Sequence, residues 1–211
     1  MDRYRTIAQE AEDSFEEKHS KFIGCVCPVK TEEEAQAFIA ARKKQYWNAT
    51  HNVWAYVLDG GRVRRFSDDG EPQGTAGIPT LDVLIKNNVT DCVVVVTRYF
   101  GGILLGAGGL VRAYSHGAAL ALAAGGIIER RLCDELAVTC DYGQYGRVGP
   151  LIAAHGGVLT DTEFTDTVTL HFYLPVGEDA ALQAALTEAS AGALELQKGG
   201  QIYKDFPAEK N

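Results

Sequence analysis

No apolar run in this sequence approaches the ~20 residues that a membrane helix needs, and the opening stretch MDRYRTIAQEAEDSFEE is too polar for a signal peptide. A cytoplasmic protein is therefore expected. The five cysteines (Cys25, Cys27, Cys92, Cys133, Cys140) are odd in number and lack framework spacing, which argues against a disulfide-stapled fold. No C-x-x-C pair or neighbouring histidine completes a zinc ligand set, so no metal site is expected. Cys25, Cys27 and Cys92 sit instead in apolar, strand-like runs, where a thiol behaves as a small hydrophobe. There is no internal repeat and no low-complexity segment. No G-x-S-x-G elbow surrounds Ser67, Thr75 or Ser115, and His19, His116, His155 and His171 have no partner pattern. A complete catalytic set is missing.

The 211 residues that remain to be explained are 46% hydrophobic and 23% charged, ordinary for a globular chain of one large or two small domains. The net charge of −8 is unevenly spread: residues 1–130 carry 15 basic against 16 acidic side chains, residues 131–211 carry 5 against 12. Affinity for a polyanion would have to come from local basic features of the first part, because the second part repels it.

Patterning divides the chain at the same place, near Ile128–Leu132, giving expected domains 1–130 and 131–211. After a frayed acidic start, SFEEKHSKFIGCVCPV reads as two strands around a polar turn. TEEEAQAFIAARKKQYW reads as a helix with Thr31 as N-cap and Glu34 closing a capping box. His51–Leu58 alternates as a strand, Asp59-Gly60-Gly61 turns into a second strand over Arg62–Ser67, and Ser67–Pro79 is a loop. Thr80 is expected to cap a short helix over Leu81–Asn87. A buried strand follows at Cys92–Thr97, then a Gly-rich loop and an apolar helix ending at Gly125-Gly126. The second part reads strand 132–141, helix 145–155, strands 158–165 and 168–174, helix 178–189 and strand 194–203. That is the β-α-β-β-α-β order of ferredoxin-like folds. The tail 205–211 is expected to be loose.

The segment TRYFGGILLGAGGLVRAY (Thr97–Tyr114) carries the chemistry. A buried strand runs into Gly101, Gly102, Gly106, Gly108 and Gly109 and then a helix, an arrangement that exposes backbone N–H groups to an anion. Arg98 at the strand end and Arg112 one turn into the helix could each fork onto phosphate oxygens. The other reading is that the glycines permit tight packing and the arginines pair with Asp68, Asp69 or Glu71. No G-K-[ST] follows, so this is not a Walker loop.

Arg62 and Arg64 share one face of their strand by alternation, near Trp54 and Tyr56, and could extend a phosphate track. They equally suit a charged edge strand. Asp68, Asp69 and Glu71 read as ion-pair partners more readily than as a magnesium site, which nothing else supports. His51 and Tyr99 are candidates to touch sugar or base. No cofactor is expected.

THNVWAY (Thr50–Tyr56), RFSDDGEPQGTAGIP (Arg65–Pro79) and VVVTRYFGGILLGAGGLVRAY (Val94–Tyr114) resemble signature blocks of the IMPACT family, specifically its bacterial YigZ-type members. EKHSKFIG (Glu17–Gly24) resembles its opening block. Val53 stands where many relatives carry a cysteine. The resemblance implies an α+β protein. Its first domain would resemble the second domain of ribosomal protein S-five, shared with elongation factor G and GHMP kinases. Its second would be ferredoxin-like, similar to domain V of elongation factor G. Eukaryotic members regulate translation under stress and carry an extra N-terminal domain without counterpart here, so their partner does not transfer. For bacterial members the resemblance implies a link to RNA or the ribosome. The favoured expectation is a phosphate- or RNA-binding protein of translation using the Gly loop. The alternatives are a small-molecule phosphotransferase related to GHMP kinases, or an acidic module that docks on the translation machinery.

Overall fold

The run Cys92–Val96 is apolar at every position because its strand is covered on both faces. In the computed structural model, which describes residues 2–208, β6 (Cys92–Tyr99) is the central strand of an antiparallel sheet. The other strands are β2 (Ala11–Glu17), β3 (Ser20–Pro28), β4 (His51–Leu58) and β5 (Val63–Ser67), in the order β2-β3-β6-β4-β5. Val93 and Val95 pack with Ala35, Phe38 and Ile39 of α1 (Glu32–Gln45). Cys92, Val94 and Val96 turn the other way, onto α2 (Gly77–Lys86) and α3 (Ala107–Gly125). Strand alternation thus feeds two cores from one continuous apolar run.

The β2–β3 hairpin turns on Lys18 and His19, both at positive φ, as a two-residue turn with the twist of its strands requires. At Gly24 of β3 the sheet meets α3 so closely that a Cβ would lie 2.1 Å from the carbonyl oxygen of Gly117. Thr31 caps α1, its Oγ1 accepting from the Glu34 N–H at 3.2 Å. Glu34 accepts from the N–H of Lys30, one residue before the cap, so the capping box is not reciprocal.

Two expectations for this part are corrected. The opening residues form a strand, β1 (Arg3–Ile7), which pairs with β7 (Ile127–Cys140), and Ile7 is buried. The helix α2 starts at Gly77 rather than Leu81. Thr80 lies buried within it, its hydroxyl donating to the Ala76 carbonyl at 2.9 Å, and does not cap.

The chain divides into two units, Tyr4–Glu129 with 207–208, and Arg130–Phe206 with 2–3. The second is built on β7, α4 (Tyr142–Ala154), β8 (Val158–Phe164), β9 (Val168–Pro175), α5 (Asp179–Ser190) and β10 (Gln197–Pro207). Its strands lie in the order β10-β7-β9-β8, so it is ferredoxin-like. Leu136, Val138, Leu170, Phe172 and Leu174 on one face pack against Val148, Ile152, Leu182 and Leu186 of the helices. A reciprocal capping box of Asp141 and Gln144 starts α4 three residues before the expected position. The two-domain α+β fold is as read from the sequence, an S-five-domain-2-like unit followed by a ferredoxin-like one. The tail is more ordered than expected: β10 runs to Pro207, Asp205 accepts from Arg130 at 2.7 Å, and Phe206 lies edge-on to Tyr173. Residues 209–211 lie outside those described. No helix among the described residues is long and apolar enough to cross a membrane.

Candidate functional site

The loop between β6 and α3 is anchored at its start and open at its end. The N–H of Phe100 donates to Thr50 Oγ1 at 3.0 Å and that of Gly101 to Ser20 Oγ at 3.1 Å. A Cβ on Gly101 would collide with the His19 backbone at 2.1 Å, so this glycine serves the packing of the loop on the β2–β3 hairpin. Gly102 and Gly106 have φ of +87° and +72°, conformations in which a side chain is strained. Gly109 would press a Cβ to 2.9 Å from Leu105 Cβ. Gly108 alone in this loop-to-helix segment has neither constraint: its nearest neighbour would be Arg112 Nη1 at 3.8 Å.

Beyond Gly106 the helix begins without a side-chain cap and with no acidic residue in its first turn. The first amides of a helix have no intrahelical partner, and together with the helix dipole they favour an anion. Arg112, one turn in, is exposed and has no ion pair among the described residues.

Across from this helix end lies the acidic loop, held by its own carboxylates. Asp68 accepts from the N–H groups of Gly74, Ala76 and Gly77 at 2.9, 3.1 and 2.8 Å. Asp69 accepts from Lys43 at 2.5 Å and from the Asn52 N–H at 2.6 Å, and its carbonyl accepts from His51 Nδ1 at 2.9 Å. Glu71 is buried: its Oε1 accepts from Arg98 Nη1 at 2.6 Å and from the Tyr114 hydroxyl at 2.8 Å, and its Oε2 is 3.8 Å from His51 Nε2. Burial, reinforced by the Glu71 charge, pushes the Tyr114 hydroxyl well above the ordinary tyrosine range, so it remains a donor. Arg98 is only 5% exposed, its guanidinium lying against the rings of Phe22 and Phe100, at 5.5 and 5.4 Å from their centroids. Its Nε has no hydrogen-bond partner.

Between the two walls is a cleft of ≈ 420 Å³. Its polar lining is Thr50, His51, Glu71 and Arg98, its apolar lining Pro72, Phe100, Leu104, Leu105 and Leu110, and Gly106 and Ala107 bring the helix end to its edge. Leu104 is 80% exposed.

Of the residues singled out from the sequence, the structure brings His51, Arg98 and Gly106 to the cleft, with Gly108, Gly109 and Arg112 on the adjoining first turns of α3. Arg98 is paired with Glu71, as the alternative reading of the arginines had it. Tyr99 points the other way, because alternation along β6 sends it to the α1 side, where its hydroxyl donates to Asn48 Oδ1 at 3.0 Å. Arg62 and Arg64 are also elsewhere. Arg64 stands opposite Val57, six residues along β4 from His51 and so roughly 20 Å away. Arg62 precedes β5 and pairs with Asp59 at 2.6 Å, and Arg64 Nε donates to the Gly61 carbonyl. The basic residue opposite Tyr56 is Arg65, beside Glu32. Asp68 and Asp69 do not pair with either arginine. Sequence reasoning missed Thr50, Pro72, Phe100, Leu104 and Leu105. The available signal was a set of bulky apolar residues placed between loop glycines.

Comparison with known proteins identifies the family. Residues 18–122 match the model of the Impact N-terminal domain, and residues 138–193 that of a domain of unknown function (DUF1949). The IMPACT family member YvyE of Bacillus subtilis (strain 168) is 38% identical over 201 residues, covering 95% of this chain and 93% of its own. The chain belongs to the IMPACT family. Escherichia coli (strain K12) YigZ, another IMPACT family member, is 35% identical over 182 residues, 85% of this chain and 89% of its own. Protein IMPACT of Mus musculus is 35% identical over 94 residues, which make up 43% of this chain and 30% of the mouse protein. A crystal structure of a hypothetical protein superposes with a TM-score of 0.60 at 33% identity, covering 93% of this chain and 97% of that one. Every cleft residue falls within the span matched to the Impact N-terminal domain. Val53 is a fully buried core residue of β4.

Proposed function

We propose that this IMPACT family protein binds a phosphate-bearing ligand, RNA in a translational setting, at the N-terminus of α3, and does so without chemistry. The observation that supports this most directly is an uncapped helix end opening on a cleft, flanked by an exposed arginine and by a buried arginine with one unsatisfied N–H. The phosphate would lie on the amides of Ala107, Gly108 and Gly109, with Arg112 as the mobile cation. Arg98 and Glu71 would form the rigid floor and His51 the polar rim. The setting in translation comes from the family resemblance.

Phosphoryl transfer is less well supported, because it needs a carboxylate to hold a metal. Asp68 already accepts three backbone N–H groups and Glu71 is bound to Arg98 and Tyr114. Recruiting either would dismantle the loop that forms the cleft.

The test is co-sedimentation of the purified protein with ribosomes and with total RNA at low and moderate salt, beside Arg112→Glu. Binding that weakens with salt and is lost in Arg112→Glu is expected. Binding undiminished by that change would place the contact elsewhere. Arg98→Ala is a poor probe, since it also breaks the buried ion pair.

A further inference from the structure

We propose that the cleft seats one unstacked nucleotide of a single strand, its base against Phe100 and Leu104 and its phosphate on the first amides of α3. This rests on the anion-site reading above and adds what fills the rest of the cavity.

An anion alone does not account for the lining. A cleft of ≈ 420 Å³ holds far more than a phosphate group, and it is within the size range of small-ligand sites. Most of its wall is apolar, and two of the apolar side chains are left in water: Phe100 is 45% and Leu104 80% exposed. With Ile103, 44% exposed, they gather apolar surface at the mouth of a cavity, and such a patch, unlike a single exposed side chain, marks a binding surface.

The Phe100 ring is also prepositioned. Its backbone N–H is tied to Thr50 Oγ1, and the Arg98 guanidinium lies over the ring. Arg98 in turn is locked by Glu71 and Ser20. A fixed aromatic surface beside bare helix amides suits a ligand with a flat π-face one backbone unit from a phosphate, and a nucleotide has that shape. In a duplex the bases are stacked inward and only the phosphates reach such a cleft, so the occupant is an unpaired nucleotide. Arg98 itself contributes to the cleft wall, so the base would rest beside a guanidinium already fixed in place.

Fluorescence anisotropy on the full chain at low salt tests this with three labelled probes of equal length: an oligouridine, a duplex and an abasic phosphodiester strand. The oligouridine should bind about tenfold tighter than the other two, since stacking on an aromatic side chain is worth about that factor. Phe100→Ala should abolish the difference and leave abasic binding unchanged. Leu104→Ala should reduce it, and this change at a largely exposed position guards against a folding artefact. Arg112→Glu should weaken all three. Equal affinity for the three strands, or a preference that survives both cleft variants, overturns the nucleotide seat while leaving the anion site standing; the apolar lip then serves another occupant, such as a peptide. Absence of binding to any strand overturns the anion site and the seat together.

Discussion

Arg98 and Glu71 form a buried ion pair, 2.6 Å apart, with side chains only 6% and 3% exposed. The pair fastens the acidic loop to the end of the central strand, and the Tyr114 hydroxyl of α3 binds the same carboxylate oxygen. Three elements that form the cleft therefore meet at one carboxylate. Removing one member of such a pair leaves a buried charge uncompensated, at a cost of about 3–5 kcal/mol. Arg98→Ala should lower the unfolding free energy read from urea titration by that much, at an unchanged m-value, and Glu71→Gln should lower it too. Arg112→Ala should stay within ~0.5 kcal/mol of the parent, as exposed positions do. Equal midpoints for Arg98→Ala and Arg112→Ala would show that the pair does not hold the fold.

Asp68 is the second fastening. One carboxylate satisfies the amides of Gly74, Ala76 and Gly77 and so caps α2 from outside the helix. Asp68→Ala leaves those donors without acceptors and should cost roughly 1–3 kcal/mol. Amide hydrogen exchange at the three positions should accelerate in the variant. Unchanged exchange there would mean that the loop is held by something other than Asp68.

These two fastenings mark the limit of what the sequence discloses. Alternation along His51–Leu58, the apolar run before Arg98 and the strand-helix order after Leu132 are local patterns, and each became the expected element. Features set by distant partners were not legible. The cap of α2 comes from Asp68, eight positions before Ala76, so Thr80 was a false local signal. β1 was hidden by three charged residues around Tyr4, Thr6 and Ile7. The acid that buries Arg98 lies 27 positions away, and nothing local reveals which of three acids it is. Phe100 and Leu104 were passed over because bulky apolar residues among glycines suggest packing, whereas here they form an open lip.

Alkaline pH should unfold this protein through groups that keep their protons only when buried. Burial, with Glu12 alongside, pushes the Cys25 thiol up to about 12, and complete burial raises Cys92 further. Tyr114 is raised by burial and by Glu71. The folded chain therefore holds protons that the unfolded chain releases from the ordinary thiol value of 9.0 upward. Stability from these groups is intact below that pH and falls as pH rises through 9 to 12. The urea midpoint should be level from neutral pH to the thiol range and then decline, less steeply in Cys25→Ala. A midpoint that rises in that range would contradict the burial of these groups.

Gly108 separates a folding role from a binding role more cleanly than any other residue of the loop. The fold gives reasons for its neighbours: contact with the hairpin at Gly101, positive φ at Gly102 and Gly106, and Leu105 against Gly109. Gly108 is helical with open space around it, and alanine in such a position should stabilise by about 0.5–1 kcal/mol. A methyl there would stand on the first turn of α3, where a phosphate must come close to reach the amides. Gly108→Ala should therefore raise the melting temperature and weaken RNA binding, two effects of opposite sign that no general loss of structure can produce. A variant that is more stable and binds as well as the parent would show that ligand does not approach this turn.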